Sequence, residues 1–298
     1  MNGHESAGNA VETYVSLDQG SGMKSRLALS LLALCVSMGV ARAEPPLPLA
    51  AHRAAYELSL SGADDHSPPS GQTPVSASGL IAYEFRGSAC EGYASNFRQV
   101  TQLQRNEGEP ISSDVSSITY EDGAGKALRF EIEGKTSASE DPPISGSAAR
   151  ADSGATTVDL AKPMQAKVDL GKDVLFPTQH IERIIETAKA EGGPLQARVY
   201  DGSDTGKKVF STLTVIGRAV TGASADAAVS DKLAAIRRWP VTISYFDEAA
   251  GDQPPEYTLS FDLYENGVSG SLKLDYGGFA LLAKLAKIEW LPVTACAK

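Results

Sequence analysis

Short segments in which apolar and polar residues alternate run through most of the chain after residue 50. Residues 56–60 and 127–133 are clear examples, since every second side chain is apolar. This pattern is typical of a β-strand that buries one face. It predicts strands over residues 56–60, 80–86, 97–103, 111–120, 127–133, 195–200, 209–216, 240–246, 257–264 and 270–276.

Turn residues separate these predicted strands. Asn266-Gly267 is the signature of a tight hairpin and lies between the predicted strands 257–264 and 270–276. Gly123 and Gly202 follow acidic residues at two further strand ends, where glycine tolerates the positive φ of a tight turn. The chain therefore reads as a succession of antiparallel strands.

One segment follows the helical period instead. Residues 177–190 begin with Pro177 and precede Gly192-Gly193, and proline at the first turn with glycine after the last is the usual punctuation of a helix. Its apolar side chains recur at helical spacing: Ile181, Ile184, Ile185 and Ala188. We predict an amphipathic helix here. Residues 224–237 have a weaker apolar stripe, so that a second helix and a loop are equal alternatives there.

Two stretches rich in Pro, Asp and Ser, residues 61–74 and 137–153, are predicted to be loops. Strand patterns resume on both sides of them, and no repeat of 20 to 50 residues indicates a solenoid. We therefore predict a mainly β fold: a single antiparallel β domain over residues 51–298 with one clear amphipathic helix.

An export signal precedes this domain. Residues 23–26 include Lys24 and Arg26, the apolar run 27–40 follows, and Ala41 and Ala43 provide the small residues that signal peptidase requires. We predict a signal peptide over residues 23–43 with cleavage between Ala43 and Glu44. Since a membrane-spanning helix needs about 20 apolar residues, a stable membrane anchor is not expected.

Residues 1–22 are polar and precede the cationic start of the signal. We expect that the native protein begins at Met23 and that residues 1–22 are a leader created by too early a start. Residues 44–50 contain three prolines and form a Pro-rich leader between the signal and the β domain.

Two cysteines remain after removal of the signal, which contains Cys35. Cys90 and Cys296 form one pair in an exported protein, and the default interpretation of such a pair is a disulfide. Two free buried thiols and a redox-active pair are the alternatives, although redox-active pairs usually have Cys-x-x-Cys spacing. A bridge would tie the end of the chain to the first third of the β domain.

Charge and motif content exclude several functions. The 298 residues carry a formal net charge of −10, which opposes nucleic-acid binding. His52, His66 and His180 lack the spacing of a zinc site. The segments 267–271 and 123–127 fail to match the serine-hydrolase and phosphate-loop motifs, respectively. We assign no catalytic residue, no metal site and no cofactor, and we expect that the protein is not an enzyme.

An aromatic segment provides two of the three candidate residues for ligand binding. Residues 239–246 form the most apolar predicted strand and include Trp239 and Tyr245. They are expected either to pack in the core or to line a cleft in a curved sheet. His180, on the predicted helix, is the third candidate binding residue.

Four segments carry a resemblance to a known family: residues 175–180 (LFPTQH), 199–203 (VYDGS), 216–218 (IGR) and 238–246 (RWPVTISYF). In this order and spacing, and with a cysteine at each end, they resemble the envelope integrity protein B (EipB) family of alphaproteobacteria, formerly a domain of unknown function. The resemblance runs from Ala51 to Cys296.

The resemblance implies a periplasmic protein with one spiral-like or open-barrel-like curved sheet, a disulfide at Cys90 and Cys296, and a role in envelope integrity and stress resistance. It brings no enzymatic activity and no cofactor. We therefore expect binding of an envelope component or a periplasmic protein partner. The alternatives are a periplasmic lipid or glycan carrier or enzyme that uses a cleft in the curved sheet, and a purely structural interaction protein.

Overall fold

The computed structural model describes residues 48–62, 73–226, 230–251, 253–293 and Cys296, which belong to one compact unit. The predicted leader 1–22, the signal peptide 23–43, its cleavage site at Ala43 and Glu44, and most of the Pro-rich leader 44–50 lie outside the described residues. Those predictions stay predictions.

The described residues form fifteen strands in one sheet. The strands are β1 (His52–Leu60), β2 (Pro74–Ser88), β3 (Gly92–Arg105), β4 (Ile111–Glu121), β5 (Ala127–Thr136), β6 (Ile144–Arg150), β7 (Thr156–Lys162), β8 (Ala166–Gly171), β9 (Val174–Leu175), β10 (Leu195–Val199), β11 (Phe210–Ile216), β12 (Arg238–Asp247), β13 (Tyr257–Tyr264), β14 (Ser269–Asp275) and β15 (Ala280–Trp290).

The strand order is β8-β7-β6-β5-β4-β3-β2-β1-β15-β14-β13-β12-β11-β10-β9. Nearest neighbours are antiparallel, except β9, which pairs in parallel with β10. Since β8 and β9 follow each other along the chain, the two edges of the sheet come together and leave one seam. The prediction of a mainly β, open-barrel-like antiparallel sheet is confirmed.

Helix α1 (Pro177–Lys189) confirms the predicted amphipathic helix. Pro177 occupies its first position, and the Gln179 side chain accepts a hydrogen bond from the Phe176 backbone N–H (3.3 Å). For residues 224–237, where a helix and a loop were equal alternatives, the described part is mostly loop and contains the single turn α2 (Ser230–Leu233). The small side chains of that segment offer too narrow an apolar stripe to stabilise a longer helix.

One loop prediction is wrong. Strand β6 lies inside the predicted loop 137–153, because a strand with Ser, Gly and Ala at most positions carries little hydrophobic signal. By contrast, the Asn266-Gly267 hairpin joins β13 to β14 as predicted, with Gly267 at φ +84°.

The antiparallel order sends alternate connections to opposite ends of the barrel. Helix α1 lies at one end, here called the plug, where Ile184, Ile185 and Ala188 pack against Trp239, Val241 and Leu263 of the sheet. The hairpins β3–β4, β5–β6, β7–β8, β10–β11, β12–β13 and β14–β15 lie at the other end, here called the mouth.

The sheet forks where β14 and β15 diverge. Their pairing covers only Leu272–Asp275 and Ala280–Ala283. Beyond it, the buried Asp226 carboxylate accepts hydrogen bonds from the backbone N–H groups of Ser271 (2.7 Å) and Leu285 (3.0 Å), one on each side of the fork. A side chain of the β11–β12 connection thus replaces the missing strand contacts.

Arginine side chains bridge the seam. Arg150 on β6 donates to the Val174 carbonyl oxygen on β9. Arg198 on β10 donates to the carbonyl oxygens of Leu170 (3.0 Å) and Lys172 and forms a bidentate ion pair with Glu248 (2.7 and 2.8 Å). Beneath it, Leu170, Val174 and Tyr200 belong to one buried apolar cluster. The Arg198 guanidinium therefore occupies the position in which a neighbouring strand would supply donors.

Cys90 and Cys296 lie in disulfide geometry. Their sulfur atoms are 2.11 Å apart and their Cα atoms 5.7 Å apart. Cys90 lies in the β2–β3 hairpin and is exposed, so the bridge attaches the end of the chain to the barrel surface at the plug.

Candidate functional site

The inward face of the sheet follows from the strand register. Tyr56, Ile81, Gln99, Val115 and Gly134 are successive cross-strand partners on β1 to β5, and directly paired residues of neighbouring strands share one face of a sheet. Because Tyr56 and Ile81 are buried in the core, the whole row faces the interior, including Val115 and Gly134 near the mouth.

An apolar cleft opens at this end of the row. Ile132 pairs with Ile144, and Gly146 pairs with Leu160, so that β5 to β7 continue the inward wall. We call the cleft between this wall and the β10–β11 loop the mouth cleft. It is lined by Val115, Ile132, Ile144, Leu160, Met164 and residues 203–207, with Glu133, Gly134, Asp141, Pro142 and Pro163 at its margin.

The β10–β11 loop is closed by its own hydrogen bonds and approaches Leu160 of the wall. The Tyr200 hydroxyl donates to the Gly206 carbonyl oxygen (2.8 Å), and the Ser203 N–H donates to the Asp201 carboxylate (2.9 Å). Gly206 has φ +74°, and a Cβ there would lie 2.7 Å from the Leu160 side chain. Glycine therefore allows both the turn and the close approach.

The size and lining of the mouth cleft are those of a ligand site. Its volume is about 690 Å³, within the range of small-molecule pockets of about 300–1,000 Å³. Met164 is 69% exposed and Val115 is 38% exposed, so apolar side chains face solvent at its entrance. An exposed apolar concavity is unusual unless something covers it.

Charges of both signs surround the cleft. Glu133, Asp141 and Lys207 have no ion-pair partner within 4.0 Å in the described part of the chain. Asp204 is different, because it pairs with Lys208 (2.7 Å), which also contacts Glu256 (2.8 Å). The hydrogen bonds from Lys208 to Asp204 and Glu256 raise the pKa of the Lys208 ammonium group.

The plug encloses two titratable groups. Glu121, 2% exposed, accepts hydrogen bonds from the backbone N–H and the hydroxyl of Thr178 (2.7 Å each) at the start of α1. Burial raises the pKa of Glu121 to about 7. Burial lowers the pKa of His180 to about 4. The Glu121 Oε2 and His180 Nε2 atoms have no hydrogen-bond partner among the described residues.

The three candidate binding residues do not form one site. Trp239 and His180 are each 3% exposed and lie in the packing around α1. Tyr245 lies six residues after Trp239 on the same strand, roughly 20 Å nearer the mouth. It is half-buried and stacks on Tyr257 with ring centroids 4.5 Å apart. Their binding role stays a prediction, and the burial of Trp239 agrees with the core-packing alternative.

The residues of the mouth cleft escaped the sequence analysis. Ile144 falls in the segment that was predicted as a loop, and Leu160 falls in β7, a seven-residue strand that the sequence analysis did not predict. Met164 lies between Pro163 and Gln165 outside any strand. The exposed Met164 next to Pro163, between β7 and β8, is the local feature of the sequence that could have pointed to this cleft.

No helix in the described residues is long and apolar enough to span a membrane. The same residues contain no group of three or more His, Cys, Asp or Glu side chains that is arranged to hold a metal ion.

Comparisons with known proteins agree on one family. A family model described as EipB-like matches residues 43–292. The chain is 37% identical over 252 residues to the cell envelope integrity protein EipB of Brucella abortus (strain 2308), covering 84% of this chain and 88% of that protein. It is also similar to the crystal structure of a beta-barrel-like protein of domain of unknown function DUF1849 from Brucella abortus, with TM-score 0.73, 35% identity and coverage of 82% of this chain and 98% of that one.

Proposed function

Since the chain belongs to the EipB-like family, we propose that it is a periplasmic protein that maintains the cell envelope by binding an envelope component, without catalysis. The name of the Brucella relative supports the role in envelope integrity. The periplasmic location rests on the export signal predicted over residues 23–43.

The mouth cleft is the observation that carries the binding proposal. A barrel with a packed plug at one end and an apolar concavity at the other provides one entrance for a ligand. The hydrogen bonds within the β10–β11 loop order one side of this entrance, which lowers the entropy lost on binding.

The placement of Glu121 and His180 argues against a catalytic role for these two groups. Their pKa values are moved to about 7 and about 4, but both side chains are enclosed in the plug. An acid or base for catalysis has to reach its substrate within hydrogen-bond distance. The charged groups at the mouth cleft, Asp141 and Lys207 among them, lie at the margin of an apolar wall.

A lipid carrier is the second candidate, and the lining of the mouth cleft favours it over a glycan carrier. Glycans are bound through many hydrogen bonds, whereas the wall of the cleft, formed by Val115, Ile132, Ile144 and Leu160, offers none, and the polar side chains lie on the facing loop and at the margin. The carrier alternative differs from the main proposal only in whether the bound component is delivered elsewhere.

The test is survival of a strain that lacks the gene, on a membrane-disrupting detergent. The strain is complemented with the full gene and, in parallel, with a version that lacks residues 23–43. Rescue by the full gene alone supports an exported protein with an envelope role. Equal rescue by both versions contradicts the periplasmic location, and unchanged survival of the deletion strain contradicts the envelope role.

A further inference from the structure

We propose that the mouth cleft binds the hydrocarbon chain of a single-chain amphiphile with a zwitterionic headgroup. This inference rests on the proposed binding function and names the class of ligand. It combines two features of the cleft: the apolar lining of its wall and the pair of opposite charges at its margin.

The apolar wall fits a hydrocarbon chain. Val115, Ile132, Ile144 and Leu160 form a continuous inward surface across β4 to β7. Gly134 lies in the same inward row and leaves space next to Ile132, since the nearest atom to a Cβ placed there is 3.6 Å away. Each methylene buried on this surface raises the affinity roughly fourfold in general. A chain of several methylenes thus suffices for measurable affinity.

The charges at the margin fit a zwitterionic headgroup. Asp141 lies on the β5–β6 connection, and Lys207 lies on the β10–β11 loop that forms the opposite wall. Neither side chain has an ion-pair partner in the part of the chain that the structure describes. An ammonium group near Asp141 and a phosphate near Lys207 would satisfy both. A purely anionic headgroup would pair with Lys207 but would leave Asp141 without a partner and beside a like charge.

The first measurement compares two lysolipids with the same acyl chain, below the concentration at which they form micelles. Lysophosphatidylcholine is zwitterionic and lysophosphatidylglycerol is anionic. Titration calorimetry and native mass spectrometry of the exported chain are expected to show one bound lysophosphatidylcholine. Its affinity is expected to exceed that of lysophosphatidylglycerol roughly threefold or more, the size of a solvent-exposed charge effect.

Two variants and one control test whether the ligand binds in the mouth cleft. Gly134→Leu fills the cleft from its wall without a strained φ and is expected to weaken binding of both lysolipids roughly tenfold or more. Gly193→Leu is the matched control, because it adds the same side chain at the opposite end with no atom within 4 Å. Asp141→Lys is expected to reverse the preference between the two headgroups. Circular dichroism and the melting temperature verify that each variant folds.

Three results would overturn the proposal. These are no binding of either lysolipid, equal binding by Gly134→Leu and the parent, and a preference for the anionic lysolipid that Asp141→Lys does not change. The detergent-survival test separates this failure from that of the proposed function, since the full gene still rescues the deletion strain if another envelope component is bound.

Discussion

Glu121 and His180 make opposite contributions to the pH dependence of stability. The pKa of Glu121 is raised from 4.5 to about 7 on folding, so the folded state binds the extra proton and stability falls as pH rises through this window. The pKa of His180 is lowered from 6.5 to about 4, so stability falls as pH drops from 6.5 to 4. Each shift corresponds to about 3 kcal/mol.

The two effects are separable with conservative variants. Between pH 4.5 and 6.5 they cancel in the parent protein. Glu121→Gln keeps an acceptor for Thr178 and is expected to gain stability relative to the parent as pH rises from 4.5 to 7. His180→Gln is expected to gain stability as pH falls below 6.5. Chemical unfolding at several pH values gives these differences, and curves parallel to the parent would contradict the burial of both charges.

Loss of the Asp226 carboxylate is expected to weaken the fork between β14 and β15. Asp226→Ala leaves the N–H groups of Ser271 and Leu285 without their acceptor at the fork. Unsatisfied buried donors cost about 1–3 kcal/mol each. We expect a lower free energy of unfolding and faster amide exchange at Leu285, whereas Asp231→Ala, in the exposed turn α2, is the control. Unchanged exchange at Leu285 would show that the fork is held by other contacts.

At the scale of elements, the seam depends on Arg198. Arg198→Met removes the donors that bridge β10 to Leu170 and Lys172, and we expect hydrogen exchange to rise in β8 with a loss of about 1–3 kcal/mol. Arg98→Met is the matched control, because Arg98 forms a bidentate pair with Asp114 across β3 and β4, which are already hydrogen-bonded. Equal exchange in β8 for both variants would contradict the bridging role.

The elements that the sequence analysis predicted differ from those it missed in the length and regularity of their apolar pattern. Strands β1 to β5 and β10 to β14 have one apolar face, and α1 has an apolar stripe, so alternation or helical spacing reveals them. Strand β15 lacks a strict alternation because of the irregularity opposite Ala55 and Tyr56 in its pairing with β1. Strand β6 holds mainly Ser, Gly and Ala. Strands β7 and β8 do alternate, but they are only seven and six residues long, so their pattern is short.

The residues of the candidate site also divide into those that a strand pattern reveals and those that only the folded sheet brings together. Trp239 and Tyr245 were recognised because they lie in the most apolar strand, and their six-residue spacing already sets them roughly 20 Å apart. What packs on each of them, the α1 region on Trp239 and the Tyr257 ring on Tyr245, depends on tertiary contacts. The mouth cleft is made by curvature, which brings β4 to β7 opposite the β10–β11 loop. Alternation along one strand carries no information on which distant loop it faces.

At the scale of the whole molecule, the bridge between Cys90 and Cys296 ties the end of the chain to the β2–β3 hairpin. It joins residues separated by 206 positions, and closing such a loop stabilises by roughly 5 kcal/mol on the chain-entropy model. The Cys90→Ser, Cys296→Ser double variant is expected to melt at a lower temperature and to accumulate to a lower level. An unchanged melting temperature would contradict a stabilising disulfide.

The central claim is that the role in envelope integrity depends on binding of a ligand in the mouth cleft. The most direct test is complementation of the deletion strain on detergent with Gly134→Leu and, in parallel, Gly193→Leu, at matched protein levels. We expect Gly193→Leu to rescue survival as the parent does and Gly134→Leu to fail. Full rescue by Gly134→Leu would show that the envelope role does not depend on the mouth cleft.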